Sequence, residues 1–212
     1  MNTREVSIEI DGLSLPGTLT VPDTPCGVVI FAHGSGSSRN SRRNVAVAQR
    51  LVERGCATLL FDLLTDDEAA DRRNVFDIDL LSRRVQSATE WLSGQPGFEN
   101  APVGYFGAST GAAAALVAAA RMGNAVSAVV SRGGRPDLAG DALGHVWAPT
   151  LLLVGSLDGE VLRLNQEAQA QLRFESELVV IEGAGHLFEE PGTLEAVAEA
   201  AGDWFVERFG TN

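Results

Sequence analysis

The sequence predicts an α/β fold, with a mostly parallel central sheet of about eight strands, helices on both faces and no lid domain. Continuous apolar runs of strand length recur along the chain, as expected for parallel strands buried on both faces. Between these runs, apolar residues return every three or four positions, which is the spacing of an amphipathic helix. Most of the runs end in glycine-rich turns. Sustained alternation of strand and helix favours parallel strands joined by helical crossovers.

The chain begins with two alternating runs, 6–10 and 13–21, separated by Asp11 and Gly12, a dipeptide that suits a tight hairpin. These runs predict an antiparallel edge of the sheet. Further strands are predicted at 27–31, 57–63, 103–106, 125–130, 151–154 and 178–181. Helical stripes are predicted at 45–52, 78–92 (with Asn74 as its cap), 112–120, 161–172 and 194–208.

Length and charge restrict the classes of protein that the chain can represent. Its 212 residues predict a single domain spanning 1–212. The formal charge of −12 disfavours nucleic acid and anionic membranes as partners, because both bind basic patches. Charged residues interrupt the first segment where a signal peptide needs an apolar core, so we expect a cytoplasmic protein. Cys26 and Cys56 lack metal-ligand spacing, which favours small buried hydrophobes.

The chain is organised around a GxSxG motif formed by Gly107, Ala108, Ser109, Thr110 and Gly111, between an apolar run and an alanine-rich run. This order predicts a strand, a sharp turn and a helix, with the serine on the turn. Glycines flank it because a Cβ at either position would strike a neighbouring element. The motif therefore predicts an exposed nucleophile at a helix N-terminus, although a simple N-cap serine remains the alternative.

Two further strand ends carry Asp158 and His186, giving the chain order Ser109, Asp158, His186. That is the order of the catalytic triad on the α/β-hydrolase fold. His186 would take the serine proton, and Asp158 would hold the imidazole tautomer. Glu160 is the alternative acid. Of the three histidines, His186 follows an apolar strand and a glycine, as a triad base does.

The glycine-rich turn after the first buried strand, His33 to Gly36, is where this fold places its second oxyanion donor. We predict that the backbone N–H groups of Ser35 and Thr110 bind the oxyanion. His33 is expected to hold the turn. The possible substrate-binding residues are His33, Gly34, Arg39 and Arg132; for the arginines, surface solvation is the alternative.

Several segments together resemble the dienelactone hydrolase-like branch of the α/β-hydrolase superfamily: HGSGSSRNS, FDLL, GYFGASTGAAAAL, SRGGRPDL, LLLVGSLD and GHLFEEPG. Three of them are also similar to small bacterial hydrolases that are sometimes joined to a phosphoribosyltransferase domain, of which only the hydrolase portion is present. Dienelactone hydrolase itself uses a cysteine where this chain has Ser109. The resemblance therefore implies a general serine esterase with the triad Ser109, Asp158 and His186.

The function predicted is hydrolysis of small carboxylic esters through an acyl-enzyme on Ser109. We expect no cofactor and no metal, since the sequence shows no histidine and carboxylate cluster with ligand spacing. A small-molecule ester is the expected partner, and the oligomeric state stays open. Acyl transfer to a thiol, amine or peroxide, thioesterase or lactonase activity, and a non-catalytic ligand-binding protein are the alternatives.

Overall fold

The structure is a computed structural model that describes residues 1–10 and 12–210. Asp11, half of the dipeptide predicted to turn the first hairpin, lies outside the described residues. The strands are β1 (Asn2–Ile10), β2 (Leu13–Val21), β3 (Gly27–Ala32), β4 (Cys56–Phe61), β5 (Val103–Ala108), β6 (Ala128–Arg132), β7 (Thr150–Gly155) and β8 (Ser176–Ile181).

All eight strands form one sheet in the order β1-β2-β4-β3-β5-β6-β7-β8. β1 pairs antiparallel with β2, and β2 pairs antiparallel with β4, while every other pairing is parallel. The predicted α/β fold with a mostly parallel sheet and an antiparallel edge is therefore confirmed. The carboxyl ends of the parallel strands lie along one edge, where ligand sites of open α/β sheets are found.

Helices cover both faces of the sheet. They are α1 (Arg42–Glu53), α2 (Asp66–Ala70), α3 (Arg72–Val75), α4 (Ile78–Ser93), α5 (Thr110–Met122), α6 (Gly159–Gln169) and α7 (Thr193–Phe209), with 3₁₀ segments at Gly123–Ala125 and Pro136–His145. α4 and α5 pack on one face, and α1 and α7 on the other. Within residues 1–10 and 12–210, we found no helix whose length and hydropathy would let it cross a bilayer.

The hydrophobic pattern explains this layering. Every residue of β3 and of β4 is buried, because both strands lie in the middle of the sheet between two helical layers. In α5 the alanines are buried on nearly all sides of the helix. Because their side chains are small, the helix packs close to the sheet. Cys56 lies in the core and Cys26 is half-buried; their sulfurs are 3.6 Å apart and both thiols are free.

Two sequence predictions are corrected at element ends. β6 begins at Ala128 rather than at residue 125, because Gly123 adopts a positive φ of 57° and a 3₁₀ turn follows it through Ala125. α4 is capped by Asp77, whose carboxylate accepts from Leu80 N–H at 2.9 Å. Asn74, the predicted cap, lies in α3 and donates its side-chain N–H to Glu68 O.

The connection between β6 and β7 is short and closely packed. Its middle forms the 3₁₀ segment Pro136–His145, which lies against α5 and α6 instead of rising over the sheet edge. This 3₁₀ segment has 10 residues and is kinked at Gly140, where φ is 53°. The connection builds no separate layer above the carboxyl ends of the strands.

Gly155 lets the ends of β7 and β8 come together, and this contact gives a test of the fold. A Cβ at Gly155 would lie 2.2 Å from Ala184 O, so Gly155→Ala should lower the free energy of unfolding by about 1–3 kcal/mol. At Gly159, the first residue of α6, a Cβ meets nothing within 4 Å. Gly159→Ala is the matched control and should be neutral or slightly stabilising. Urea unfolding measures both, and equal losses would contradict the close contact at Gly155.

Candidate active site

Ser109 occupies a strained turn between β5 and α5. Its φ of 51° and ψ of −122° lie where non-glycine residues are rare. The turn is crowded on both sides: a Cβ on Gly107 would lie 2.4 Å from Ala112 Cα, and one on Gly111 would lie 2.2 Å from Ala32 O. The strand, sharp turn and helix that the GxSxG motif predicts are all present. Ser109 therefore stands at the carboxyl edge of the sheet, at the N-terminus of α5.

Backbone hydrogen bonds fix this turn to its neighbours. Ser109 N–H donates to Arg132 O at 3.2 Å, and Arg135 N–H donates to Ser109 O at 3.1 Å. The backbone at the end of β6 and just after it thus binds both the N–H and the carbonyl oxygen of Ser109. Across residues 1–10 and 12–210, the Ser109 hydroxyl itself makes no hydrogen bond, and it is left available to another group.

Asp158 and His186 meet where β7 and β8 end. Asp158 Oδ2 lies 2.6 Å from His186 Nδ1, and the two side chains are 16% and 40% exposed. Asp158 holds the N-cap position of α6, yet its carboxylate makes no capping bond and turns to the imidazole instead. The rival acid, Glu160, is exposed and is not bonded to His186. With Nδ1 engaged, His186 presents Nε2 as its free nitrogen.

The Arg132–Gly133 turn separates Ser109 from His186. Ser109 N–H bonds to Arg132 O on one side, and on the other a Cβ on Gly133 would lie 3.7 Å from His186 Cε1. The structure therefore brings Ser109, Asp158 and His186 to one part of the sheet edge. In the described chain, Ser109 and His186 are not hydrogen-bonded to each other. Catalytic hydrogen bonds are often open in the absence of substrate.

The His186 loop carries the second strained non-glycine residue of the described chain. Phe188 has a φ of 54°, and its side chain is buried in the core. Gly185, just before His186, donates its N–H to Glu190 Oε2 at 3.1 Å, which lowers the pKa of the Glu190 carboxyl. A buried ring and a local hydrogen bond thus fix the backbone on both sides of His186.

The turn after β3 lies directly against the serine turn. A Cβ on Gly34 would come within 3.1 Å of Ser109 Cβ. Ser35 N–H, one predicted oxyanion donor, donates to Thr110 Oγ1 at 2.9 Å. It is therefore not a free donor here, and a ligand oxygen must share or displace this bond. Thr110 N–H, the other predicted donor, has no acceptor in the described chain, as is usual for the first residue of a helix.

His33 ties this turn to the loop after β4. Its Nε2 accepts from Leu63 N–H at 3.1 Å, and its Nδ1 lies 3.1 Å from Gly34 O. The imidazole must then be neutral with its proton on Nδ1. Burial lowers the pKa of His33, which favours this neutral form. Both ring nitrogens are occupied by backbone groups, so neither faces a ligand, in keeping with the holding role expected for His33.

The two predicted substrate-binding arginines differ in their surroundings. Arg39 is neutralised by Asp62, which accepts from both its backbone N–H and its Nη1 at 2.7 Å. Arg132 is 7% exposed and, among the residues that the structure describes, has no carboxylate partner; its Nη2 donates to Asn44 Oδ1 at 3.2 Å. The sequence gives no signal for the roles of Asn44 and of the Thr110 hydroxyl, because each contacts a residue distant in the chain.

An α/β-hydrolase is defined by three features together: the strand order, the strained turn at Ser109, and the chain order Ser109, Asp158, His186. More specifically, the chain belongs to the dienelactone hydrolase family, whose model matches residues 15–209. A dienelactone hydrolase from Anabaena variabilis is 52% identical, with a TM-score of 0.95 over 97% of each chain. Est1E from Butyrivibrio proteoclasticus shares the fold at 19% identity and a TM-score of 0.83, over 98% of this chain and 99% of its own.

The curated relatives include a Mycobacterium tuberculosis protein provisionally named a phosphoribosyl transferase. It is 59% identical over 209 residues, which cover 99% of this chain and 47% of the relative. The chain therefore spans about half the length of these curated relatives. The resemblance to the dienelactone hydrolase family that the sequence suggests is confirmed.

The Asp158–His186 contact predicts unequal effects of two exchanges on ester turnover. In Asp158→Asn, the amide would donate to Nδ1 and leave the proton on Nε2, so His186 could not accept from Ser109. We expect kcat for an activated ester to fall by about 10⁴-fold, as in other triads. Glu160→Gln, two residues away, is the control and should stay within about threefold. Equal losses of kcat in the two variants would contradict the assignment of Asp158 as the acid that holds His186.

Proposed function

We propose that this chain is a serine carboxylic-ester hydrolase with Ser109, Asp158 and His186 as its catalytic triad. The observation that carries the proposal is the 2.6 Å contact between Asp158 and His186, on the same sheet edge as the strained Ser109 turn. A serine hydroxyl is a poor nucleophile at neutral pH, so it needs a positioned base. Membership of a hydrolase family supports the same reading.

In the proposed reaction, Ser109 Oγ attacks the ester carbonyl carbon while His186 Nε2 takes the hydroxyl proton. The resulting imidazolium is stabilised by Asp158. The tetrahedral intermediate collapses to an acyl-enzyme, and His186 returns the proton to the departing alcohol. Water then adds to the acyl carbonyl with His186 again as base, which releases the acid and restores Ser109.

The oxyanion is proposed to bind the backbone N–H groups of Thr110 and Ser35. Thr110 N–H, at the start of α5, has no acceptor within residues 1–10 and 12–210, and the helix dipole there also favours negative charge. The Ser35 donor must loosen its bond to Thr110 Oγ1 to take part. Small esters as substrates and a cytoplasmic location remain parts of the proposal. Est1E, a neighbour in fold only, has been solved with ferulic acid bound.

Replacing the nucleophile tests the proposal most directly. Ser109→Ala should lower kcat by about 10⁴- to 10⁶-fold with an unchanged melting temperature, because only the attacking oxygen is removed. A sulfonyl fluoride should also stop turnover and label Ser109 alone, as peptide mass mapping would show. Near-normal turnover by Ser109→Ala would exclude this mechanism. A single equivalent of product from the unmodified chain would favour the ligand-binding alternative.

The shape of the site predicts a preference for short acyl groups. Within residues 1–10 and 12–210, the β6–β7 connection places no layer over Ser109, and the turn at 33–38 lines a cavity of about 160 Å³ together with residues of α2 and α3. Each methylene left in water forgoes about 0.8 kcal/mol of binding. We expect kcat/KM to peak at acyl chains of about two to six carbons, without activation on emulsified lipid. A series of p-nitrophenyl esters measures this, and a long-chain optimum would mean that 65–75 moves to form a cover.

A further inference from the structure

Cys26 and Cys56 are the two cysteines of the chain, and their sulfur atoms lie against each other. The Sγ–Sγ distance is 3.6 Å, although the residues are 30 positions apart in the sequence. Cys26 directly precedes β3, and Cys56 is the first residue of β4. Both therefore lie at the amino ends of neighbouring parallel strands, at the opposite edge of the sheet from Ser109.

The backbone around the two cysteines already has the spacing that a disulfide needs. Cys56 pairs in register with Gly27, and Cys26 N–H donates to Gly55 O at 2.9 Å. Cys26 is thus one residue out of register with Cys56. Neighbouring strands lie about 4.8 Å apart and rise about 3.3 Å per residue, so the two Cα atoms are separated by about 6 Å. Disulfides span Cα separations of about 4.4–6.8 Å, so the bond fits this backbone as it stands.

The two thiols differ in their access to solvent. Cys26 is half-buried, and it follows the exposed residues Thr24 and Pro25 in the connection from β2. Cys56 is fully buried in the core. Burial, and next the neighbouring Cys26 thiol, raise the pKa of the Cys56 thiol. Because the thiolate is the reactive form of cysteine, an oxidant that arrives from solvent should react first with Cys26.

The start of β3 is held firmly by its neighbours. Val28 N–H donates to Pro102 O at 2.8 Å on the side of β5, and a Cβ on Gly27 would lie 2.4 Å from Phe209 Cδ2 at the end of α7. Closing the gap from 3.6 Å to the disulfide bond length of about 2 Å therefore falls to rotation of the two side chains. Burial as small hydrophobic side chains would account for each cysteine alone, but it does not require their sulfurs to face each other.

We propose that Cys26 and Cys56 form a reversible disulfide, which hydrogen peroxide closes and a thiol reductant opens. First, the Cys26 sulfur attacks one peroxide oxygen and the O–O bond breaks. The departing hydroxide takes the Cys26 proton, which gives water and a sulfenic acid on Cys26. The Cys56 sulfur then attacks the Cys26 sulfur, the S–O bond breaks, and hydroxide leaves with the Cys56 proton as a second water. The two sulfurs together lose two electrons, which reduce the peroxide.

The bond would close a loop of the chain that contains β3, the turn at 33–38 and α1. A cross-link of this kind restricts the unfolded chain, so we expect the oxidised protein to melt about 5–10 °C higher than the reduced protein. In reducing compartments disulfides are usually transient, which agrees with a bond that forms only while peroxide is present. The inference is independent of the proposed esterase function, because both sulfurs lie at the opposite edge of the sheet from Ser109.

Intact mass tests the reaction in the unmodified protein. After treatment with a few equivalents of hydrogen peroxide, the mass of the monomer should fall by about 2 Da, because two hydrogens are lost. A digest without reductant should then contain the peptides of Cys26 and Cys56 linked to each other. Dithiothreitol should restore the mass and the original melting temperature. Oxygen added to either sulfur without the link, or two thiols that persist, would overturn the proposal, and an unchanged melting temperature in the linked protein would overturn the expected stabilisation.

Single variants assign the two roles. Cys56→Ala keeps the accessible sulfur without its partner, so a sulfenic acid should persist on Cys26 and be trapped by dimedone. Cys26→Ala is the matched control, in which the buried Cys56 should be labelled at least about tenfold more slowly. Equal labelling of the two variants would overturn the order of attack. Should either variant fail to fold, the linked peptides of the unmodified protein decide whether the bond forms.

Discussion

The close approach of three backbone segments at Ser109 is the constraint on which the rest of the site depends. The end of β5, the start of α5 and the turn after β3 come so near that side chains at Gly107 and Gly111 would collide with neighbouring atoms, and one at Gly34 would be tight. This crowding holds Ser109 in its left-handed conformation. Because Ser109 N–H reaches Arg132 O, the same approach also fixes where the chain leaves β6.

Backbone strain in the described chain occurs at both reactive loops. Ser109 and Phe188 are its two non-glycine residues with positive φ, and each lies on, or two residues from, a proposed catalytic side chain. Such conformations persist only where the surrounding structure over-determines them. Here the helix and sheet hold Ser109, and the core holds the Phe188 ring. The stability of the core is thus used to keep two loops in positions that they would not adopt alone.

The sequence predicts the parts of this structure that depend on local pattern. Apolar runs locate the strands, and three strand ends bring Ser109 and the Asp158–His186 contact to one edge of the sheet. The catalytic roles of these three residues remain predictions. The predicted cap falls on Asn74 because several polar residues precede α4 and each is a plausible N-cap. The predicted start of β6 falls at residue 125 because the sequence does not show that a 3₁₀ turn continues after α5.

Contacts between segments distant in the chain could not be predicted from the sequence. The Thr110 hydroxyl meets Ser35 N–H across 75 positions, and Arg132 meets Asn44 across 88. Each depends on how helices and turns lie over the sheet, which no periodicity encodes. The burial of Arg132 without a carboxylate is likewise visible only in three dimensions, because in the sequence it is one of several loop arginines.

The packed 3₁₀ connection between β6 and β7 has a consequence for the fate of the acyl group. Because Pro136–His145 lies against α5 and α6, this connection does not cover Ser109, which is partly exposed in the structure of residues 1–10 and 12–210. Enzymes that protect a reactive intermediate from hydrolysis do so by closing over it. Here an acyl-serine would be surrounded by the most abundant nucleophile in the cell, so a scarce thiol or amine could compete only by binding first. In the proposed reaction, the open connection would therefore leave the acyl group to water rather than to a transferase partner.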